Sequence, residues 1–461
     1  MTPSSPARPL PAFAAADLAA LSRYLPACVL ADGGGDIDPG SVLPPRQRRF
    51  SGAVLVADIA GFSSLTEGLA ARGPEGAEQL AQVLDAWFGH MTGVALDHGG
   101  DVVDFVGDAL VVVWPAQELQ AAALQAARCA LALQAAVAAV AADTGLTLAQ
   151  RIGLGAGELS LFTVGGLGGQ WHWLVAGAPV AQAATAYAQG QPGDTVVDAE
   201  SWPLLAAHCH GQPLQAAAGW RLLDAGSPAL PAAIATPAAK PGWLARYLPA
   251  SLLERHASGA TAWRGEFRTL SVLMIGLPGL DPATADALAQ LQGAVGGIQR
   301  ELLRGGGRIE RLSMDDKGIS LLVAFGLPRA SFDDDASRAL RAAWGVSATL
   351  AERGISGSIG VTTGRVFCGD SGGTRRRHLS LAGASVNAAA RLMQQHDGLL
   401  CDAATASAAA RAWNFAAVED DHTTAAPRYR PTPRAIPVAR RSDSLLLGRD
   451  AEQQQLDRTL Q

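Results

Sequence analysis

Val54-Leu55-Val56-Ala57-Asp58-Ile59-Ala60-Gly61-Phe62-Ser63 and, further on, Val102-Val103-Asp104-Phe105-Val106-Gly107-Asp108-Ala109-Leu110-Val111-Val112-Val113-Trp114 bound the stretch that decides the fold. Each is an apolar, β-branched run that gives a position to aspartate. The first reads as a buried strand whose Asp58 meets a Gly-Phe-Ser helix entry, with Ser63 the expected N-cap. The second reads as a hairpin, 102–105 and 109–114, with Gly107-Asp108 at the turn. A buried carboxylate without a partner is costly, and a divalent cation would offset that cost. Two carboxylates on adjacent strands, facing a helix N-terminus that attracts phosphate, suit a metal–nucleotide site. Taken singly, Asp58 reads equally well as a strand-end cap and Asp108 as a turn residue. Both in one unit, separated by an amphipathic helix, favour the metal.

The totals set the frame. A chain of 461 residues accommodates two to four domains. Its net charge of −6 gives no electrostatic case for nucleic acid or an anionic membrane surface. Cys28, Cys129, Cys209, Cys368 and Cys401 are scattered without CxxC spacing, as expected of buried thiols in a reducing compartment. The start lacks a signal-peptide pattern, and the Ala-rich run 130–142 is too short to span a bilayer. These features predict a soluble, cytoplasmic chain with no membrane span and no nucleic-acid partner.

In chain order, residues 1–15 read as a loose tail, followed by a short helix ending at Arg23-Tyr24-Leu25-Pro26-Ala27 and a linker over 32–49. After Asp58 the apolar spacing predicts two helices, then the hairpin and a long Ala/Leu helix over 119–141. A strand over 146–155 containing Arg151, a hairpin partner over 158–164, a helix over 178–189 and a strand over 194–198 complete a β-α-α-β-β-α-β order. The chain then repeats itself. Arg246-Tyr247-Leu248-Pro249-Ala250 copies the earlier motif, and residues 267–280 parallel 50–62. Ile359-Gly360-Val361-Thr362-Thr363-Gly364 parallels Ile152-Gly153-Leu154-Gly155-Ala156-Gly157. Two copies of one α+β domain follow, at 45–225 and 262–420. They have an extension over 1–44, a linker with the repeated helix over 226–261, and a tail over 421–461.

The copies differ chemically. Gly276 stands where Asp58 would be, and Met314-Asp315-Asp316-Lys317-Gly318 replaces the Gly-Asp turn. Conversely, the second copy has Val386-Asn387-Ala388-Ala389-Ala390-Arg391 where the first has Val180-Ala181-Gln182-Ala183-Ala184-Thr185. Asn387 and Arg391 lie four apart, on one helical face. This division suits one composite site across a pseudo-twofold interface.

On these motifs the chain resembles the class III nucleotidyl cyclases, in particular the tandem-domain soluble adenylyl cyclases, over roughly residues 45–200 and 262–410. The resemblance implies two ferredoxin-like βααββαβ domains paired head to tail as an intramolecular dimer, and a monomer that turns ATP into cyclic AMP. It implies two Mg²⁺ (or Mn²⁺) ions on Asp58, Asp108 and the Ile59 carbonyl. It implies the amides of Ala60, Gly61, Phe62 and Ser63 on the β/γ-phosphates and Arg151 on the triphosphate. Lys317 matches the base-selecting lysine and Ser380-Leu381 the base-contacting pair. Asn387 matches the ribose-orienting residue, and Arg391 the one that stabilises the transition state. Lys317, an obligate donor, suits N1 of adenine and opposes the N1–H of guanine.

Two departures stand out. Asp104 and the neutral run 181–185 occupy the places that serve bicarbonate in the mammalian soluble enzymes, so no positive charge is expected there and no bicarbonate response. Ser380 stands where many relatives have Thr or Asp. Leu445-Leu446-Leu447-Gly448-Arg449-Asp450-Ala451-Glu452 resembles the lead-in to a P-loop ATPase module, itself absent from this chain because no GxxxxGK[ST] is present. The alternatives are a guanylyl cyclase, and a catalytically silent cyclase-like module regulating such an ATPase.

Overall fold

The apolar run ending at Asp58 forms the far half of β1 (Arg46–Ile59), and a strand buried on both faces needs neighbours on both edges. It has them in β3 (Ala109–Pro115) and β4 (Gln150–Gly165), both antiparallel. The computed structural model describes residues 13–32, 43–146, 148–214, 218–226, 239–258, 265–328, 330–395, 398–418 and 427–434. Most of the N-terminal tail, most of both connecting stretches and the 445–452 motif lie outside the described residues.

The first half adds helices α1 (Ala15–Ser22), α2 (Ala27–Ala31), α3 (Phe62–Ala70), α4 (Pro74–Asp97), α5 (Leu119–Thr144) and α6 (Ala178–Gln189). Its other strands are β2 (Asp101–Val106), β5 (Trp171–Ala176), β6 (Thr195–Asp198), β7 (His210–Pro213) and β8 (Gly219–Asp224). The sheet runs β2-β3-β1-β4-β6-β8-β7, with β5 pairing β4. The second half has helices α7 (Pro241–Tyr247), α8 (Ala250–Ala257), α9 (Ala287–Gly305), α10 (Asp335–Glu352), α11 (Ala384–Gln395) and α12 (Ala403–Ala409). Its strands are β9 (Gly265–Leu277), β10 (Arg308–Asp315), β11 (Gly318–Phe325), β12 (Ser358–Gly372), β13 (Arg377–Ala382), β14 (Gly398–Asp402), β15 (Trp413–Val418) and β16 (Arg428–Pro433). They run β10-β11-β9-β12-β14-β16-β15, with β13 on β12, the same order as in the first half.

The repeated Ile-Gly pairs have a steric cause. A Cβ on Gly153 would lie 2.0 Å from the Ala183 carbonyl oxygen of α6, and one on Gly360 would lie 2.2 Å from that of Ala389 in α11. Only glycine lets these helices sit so close to the strands beneath them.

Two local expectations change. The expected strands over 146–155 and 158–164 do not form a hairpin. Residues 150–155 and 158–164 belong to the single strand β4, which β1 pairs along its own whole length, and the true hairpin partner is β5. Helix α5 also runs well beyond the Ala-rich core of 130–142, and by length and composition it is long and apolar enough to cross a membrane. Its Ala123, Ala126, Ala127, Ala130 and Leu133 nevertheless pack in the first core beside Trp87 and Phe88 of α4.

The halves interlock reciprocally. Helix α4 lies against β9 and β12, while α9 lies against β4. The Gly372 amide donates to Asp85 of α4 at 3.2 Å, and the Gly165 amide to Gln292 of α9 at 2.8 Å. The duplicated Arg-Tyr-Leu-Pro-Ala motif behaves likewise: Tyr24 donates to Asp370 of the second half at 2.6 Å, and Tyr247 hydrogen-bonds Thr163 of the first.

Candidate active site

Asp58 stands next to the end of β1, opposite Ala109 of β3 on one side and Arg151 of β4 on the other. Asp108 sits in the two-residue turn between β2 and β3, where Gly107 takes a left-handed φ of 69°. The two carboxyls are close enough to act on each other's ionisation. Burial raises both above the usual carboxylate range; Arg151 opposes this at Asp58, whereas the charge of Asp58 adds to it at Asp108. Arg151 donates from Nη2 to Asp58 Oδ2 at 2.9 Å, and its guanidinium lies 5.4 Å from the centre of the Tyr187 ring on α6.

Two buried, mutually repelling carboxyls beside the Ile59 carbonyl form an all-oxygen donor set of the kind a hard divalent cation needs, so the residues fit such an ion. In the second half the matching place holds no carboxylate. A Cβ on Gly276 would lie 2.8 Å from Ser358 Oγ and 3.2 Å from Met393, so a side chain there would have to displace them.

Beyond Asp58 the chain turns through Gly61, at φ 81°, into α3. Gly61, not Ser63, is the N-cap, with no side-chain cap, because the tight turn demands a left-handed residue. The Ala60 amide is committed to the Ala149 carbonyl at 2.8 Å. The donors turned to an anion are therefore those of the first turn of α3, Gly61, Phe62 and Ser63. Helix α11, carrying half-buried Asn387 and exposed Arg391, lies alongside α3. The helix that carries the amide and guanidinium of one half therefore packs on the helix that follows Asp58 in the other.

Lys317 borders the far end of the same helix α11, and its neighbour Asp316 acts on Tyr187 together with Asp58, Asp108 and Arg151. Lys317 is exposed at the β10–β11 turn, its amide bonded to Asp315, in a crevice with Gly276, Met393 and Gln394. Ser380 is buried, bonded to Ser371 at 2.8 Å and to His378 at 3.1 Å. Ser380 and Leu381 line a separate cleft whose β10 groups are Arg308 and Glu310. The lysine sits at the hairpin tip, whereas the Ser380 cleft opens further down β10.

Positive charge also reaches Asp104, contrary to expectation. Arg311 donates to the Phe105 carbonyl at 3.1 Å and Arg376 to that of Val102 at 3.0 Å, gripping β2 on either side of it. Burial still raises Asp104 to about 6, against the pull of both arginines. All three line a cavity of about 110 Å³ between the halves, with His172 and His378, which burial keeps neutral. Tyr187, Arg311 and Arg376 carried no sequence signal, since each acts on a segment remote in the chain.

Residues 46–214 match the family described as the adenylate and guanylate cyclase catalytic domain. That match covers the greater part of the first half. Over 410 residues the chain is 26 % identical to adenylate cyclase type 10 of Oryctolagus cuniculus, covering 80 % of this chain and 25 % of that one. Over 395 residues it is 27 % identical to the Homo sapiens protein of the same name, covering 77 % and 24 %. The chain thus spans about a quarter of the length of these relatives. A class III adenylyl cyclase-like ATP-binding protein from Pseudomonas aeruginosa superimposes with a TM-score of 0.58 at 14 % identity, over 87 % of this chain and 94 % of that one. This cyclase homologue therefore has the fold of a paired class III assembly across both halves.

Proposed function

We propose that this cyclase homologue is an adenylyl cyclase that converts ATP to 3′,5′-cyclic AMP and pyrophosphate at one site between its halves, joined through 226–261. The observation that carries the reading is the buried Asp58–Asp108 pair, kept in one half only, at the foot of α3, on which α11, the helix that carries Asn387 and Arg391, packs. Two Mg²⁺ or Mn²⁺ ions held by Asp58, Asp108 and the Ile59 carbonyl would activate the 3′-hydroxyl and neutralise the triphosphate. The chain's own groups do the rest. The first-turn amides of α3 and Arg151 grip the β- and γ-phosphates, so that pyrophosphate leaves from a held position. Asn387 orients the ribose and aims the 3′-oxygen in line at the α-phosphorus. Arg391, one helical turn along, places a fixed positive charge where the pentacoordinate phosphorus gains negative charge.

The remoteness of Lys317 from Ser380 favours one second reading, a guanylyl cyclase, because the donor expected to reject guanine is not beside the Ser380-Leu381 pair. Purified chain is incubated with ATP or GTP and Mg²⁺ or Mn²⁺, and the product identified by mass. Cyclic AMP from ATP is expected. Cyclic GMP as the main product would replace the reading, and no product with either nucleotide would end it.

A further inference from the structure

We propose that Arg151 is an exchangeable occupant of the metal position, holding Asp58 while no cation is bound and passing to the triphosphate when one takes the carboxylate. The inference rests on the cyclase reading of this site and adds an order of events to it. Arg151 faces Asp58 directly across the β1–β4 ladder, so its backbone is fixed there and only the side chain can move. It reaches Asp58 through one nitrogen, Nη2, at 2.9 Å, while its Nε is buried with no acceptor. A guanidinium that leaves a donor unused is an incomplete partner for a carboxylate, which it can grip with two. The Oδ2 oxygen it occupies belongs to one of only two carboxyls in the donor set, and a divalent cation would have to bind within about 2 Å of such an oxygen. Two positive groups cannot share it without strong repulsion. The Tyr187 ring, 5.4 Å from the guanidinium, offers a face that keeps the displaced cation close to the first turn of α3.

Two consequences follow from linkage. The cation alone binds weakly, because it must displace Arg151. The cation and a triphosphate bind together strongly, because the displaced guanidinium gains a new acceptor, and this coupling is reciprocal. The site is thereby set to take metal with its nucleotide rather than ahead of it.

The test counts free Mn²⁺ by electron paramagnetic resonance, on the full chain near pH 8, with and without 3′-deoxy-ATP, which lacks the attacking hydroxyl. Arg151→Gln and Arg151→Met should bind Mn²⁺ about tenfold tighter than wild type without nucleotide, the scale of removing one adjacent charge. Arg151→Lys should stay near wild type. 3′-Deoxy-ATP should tighten Mn²⁺ binding on wild type by a larger factor than on the neutral variants. Neutral variants that keep wild-type circular dichroism yet bind Mn²⁺ no tighter than wild type would overturn the exchange alone. A wild-type chain that takes up no Mn²⁺, with or without 3′-deoxy-ATP, would overturn the cyclase site itself and the exchange with it.

Discussion

At Asp108, burial and the neighbouring Asp58 carboxylate act in one direction, both favouring the protonated acid. The folded chain therefore holds more protons here than the unfolded chain does just above the ordinary carboxylate range. Metal-free stability consequently falls as pH rises through that range and beyond. Asp108→Asn removes the repulsion and still offers Asp58 a donor. It should raise the melting temperature of the metal-free protein and abolish cyclisation. Thermal melts without metal read the first effect, and a lowered melting temperature would show that the pair is not strained. Asp58→Asn should likewise abolish activity while the circular dichroism stays unchanged. For the wild type, kcat/KM should fall as pH drops below the raised carboxyl values, because the acids must be ionised to hold a cation. Arg391→Ala should cut kcat by roughly 10²-fold with KM for ATP little changed, the pattern of a donor used mainly in the transition state. Both aspartates were legible in the sequence because a carboxylate in a β-branched run needs a partner to offset its burial. Tyr187 was not, because an aromatic residue in an Ala-rich helix reads as core, and only the seating of α6 over β4 brings it to Arg151.

The β10–β11 hairpin shows how far element-level reading reaches. Its existence and its turn were plain from the two apolar runs around Asp316-Lys317. What the turn faces depends on the lie of the hairpin against the other half, for which the sequence has no period. The same gap explains β4, in which a Gly-Ala-Gly-Glu stretch resembles a turn until β1 pairs along all of it. It also explains α3, whose cap was assigned by residue preference although the chain needed a left-handed glycine. From the observed placement, Lys317→Ala should leave the ATP-to-GTP ratio of kcat/KM within about twofold, as for an exposed turn residue. Ser380→Ala, in the cleft with Glu310, should shift that ratio by about tenfold, the scale of one hydrogen bond. Steady-state kinetics of both variants with both nucleotides decide between the two positions, and a large change at Lys317 with none at Ser380 would reverse the assignment.

Across the whole molecule the duplication was legible because repeated motifs need no spatial information. How the copies hold each other was not, since Tyr24 and Asp370 are far apart in sequence and neither is unusual where it stands. The structure gives the two copies of the Arg-Tyr-Leu-Pro-Ala motif equivalent tasks with unequal chemistry. Tyr247 meets the neutral Thr163. Tyr24 donates to a buried carboxylate, Asp370, which also accepts from Arg377 at 3.0 Å and pairs with Arg255 at 3.6 Å. A hydrogen bond to a charged group contributes more than a neutral one, about 1.5–3 kcal/mol against 0.5–1.5. Tyr24→Phe should therefore destabilise the protein by about 2 kcal/mol, and Tyr247→Phe by about 1 kcal/mol. Asp370→Ala should cost more than either, about 3–5 kcal/mol, because it removes at once the acceptor of Tyr24 and a counter-charge shared by two partly buried arginines. Because both tyrosine contacts cross between the halves, the losses should lower a shared transition rather than that of one half. Denaturant unfolding of the three variants, followed in parallel by tryptophan fluorescence and circular dichroism, measures the order. Equal effects of the two tyrosine substitutions would mean that Asp370 contributes no more to the clasp than a neutral acceptor does.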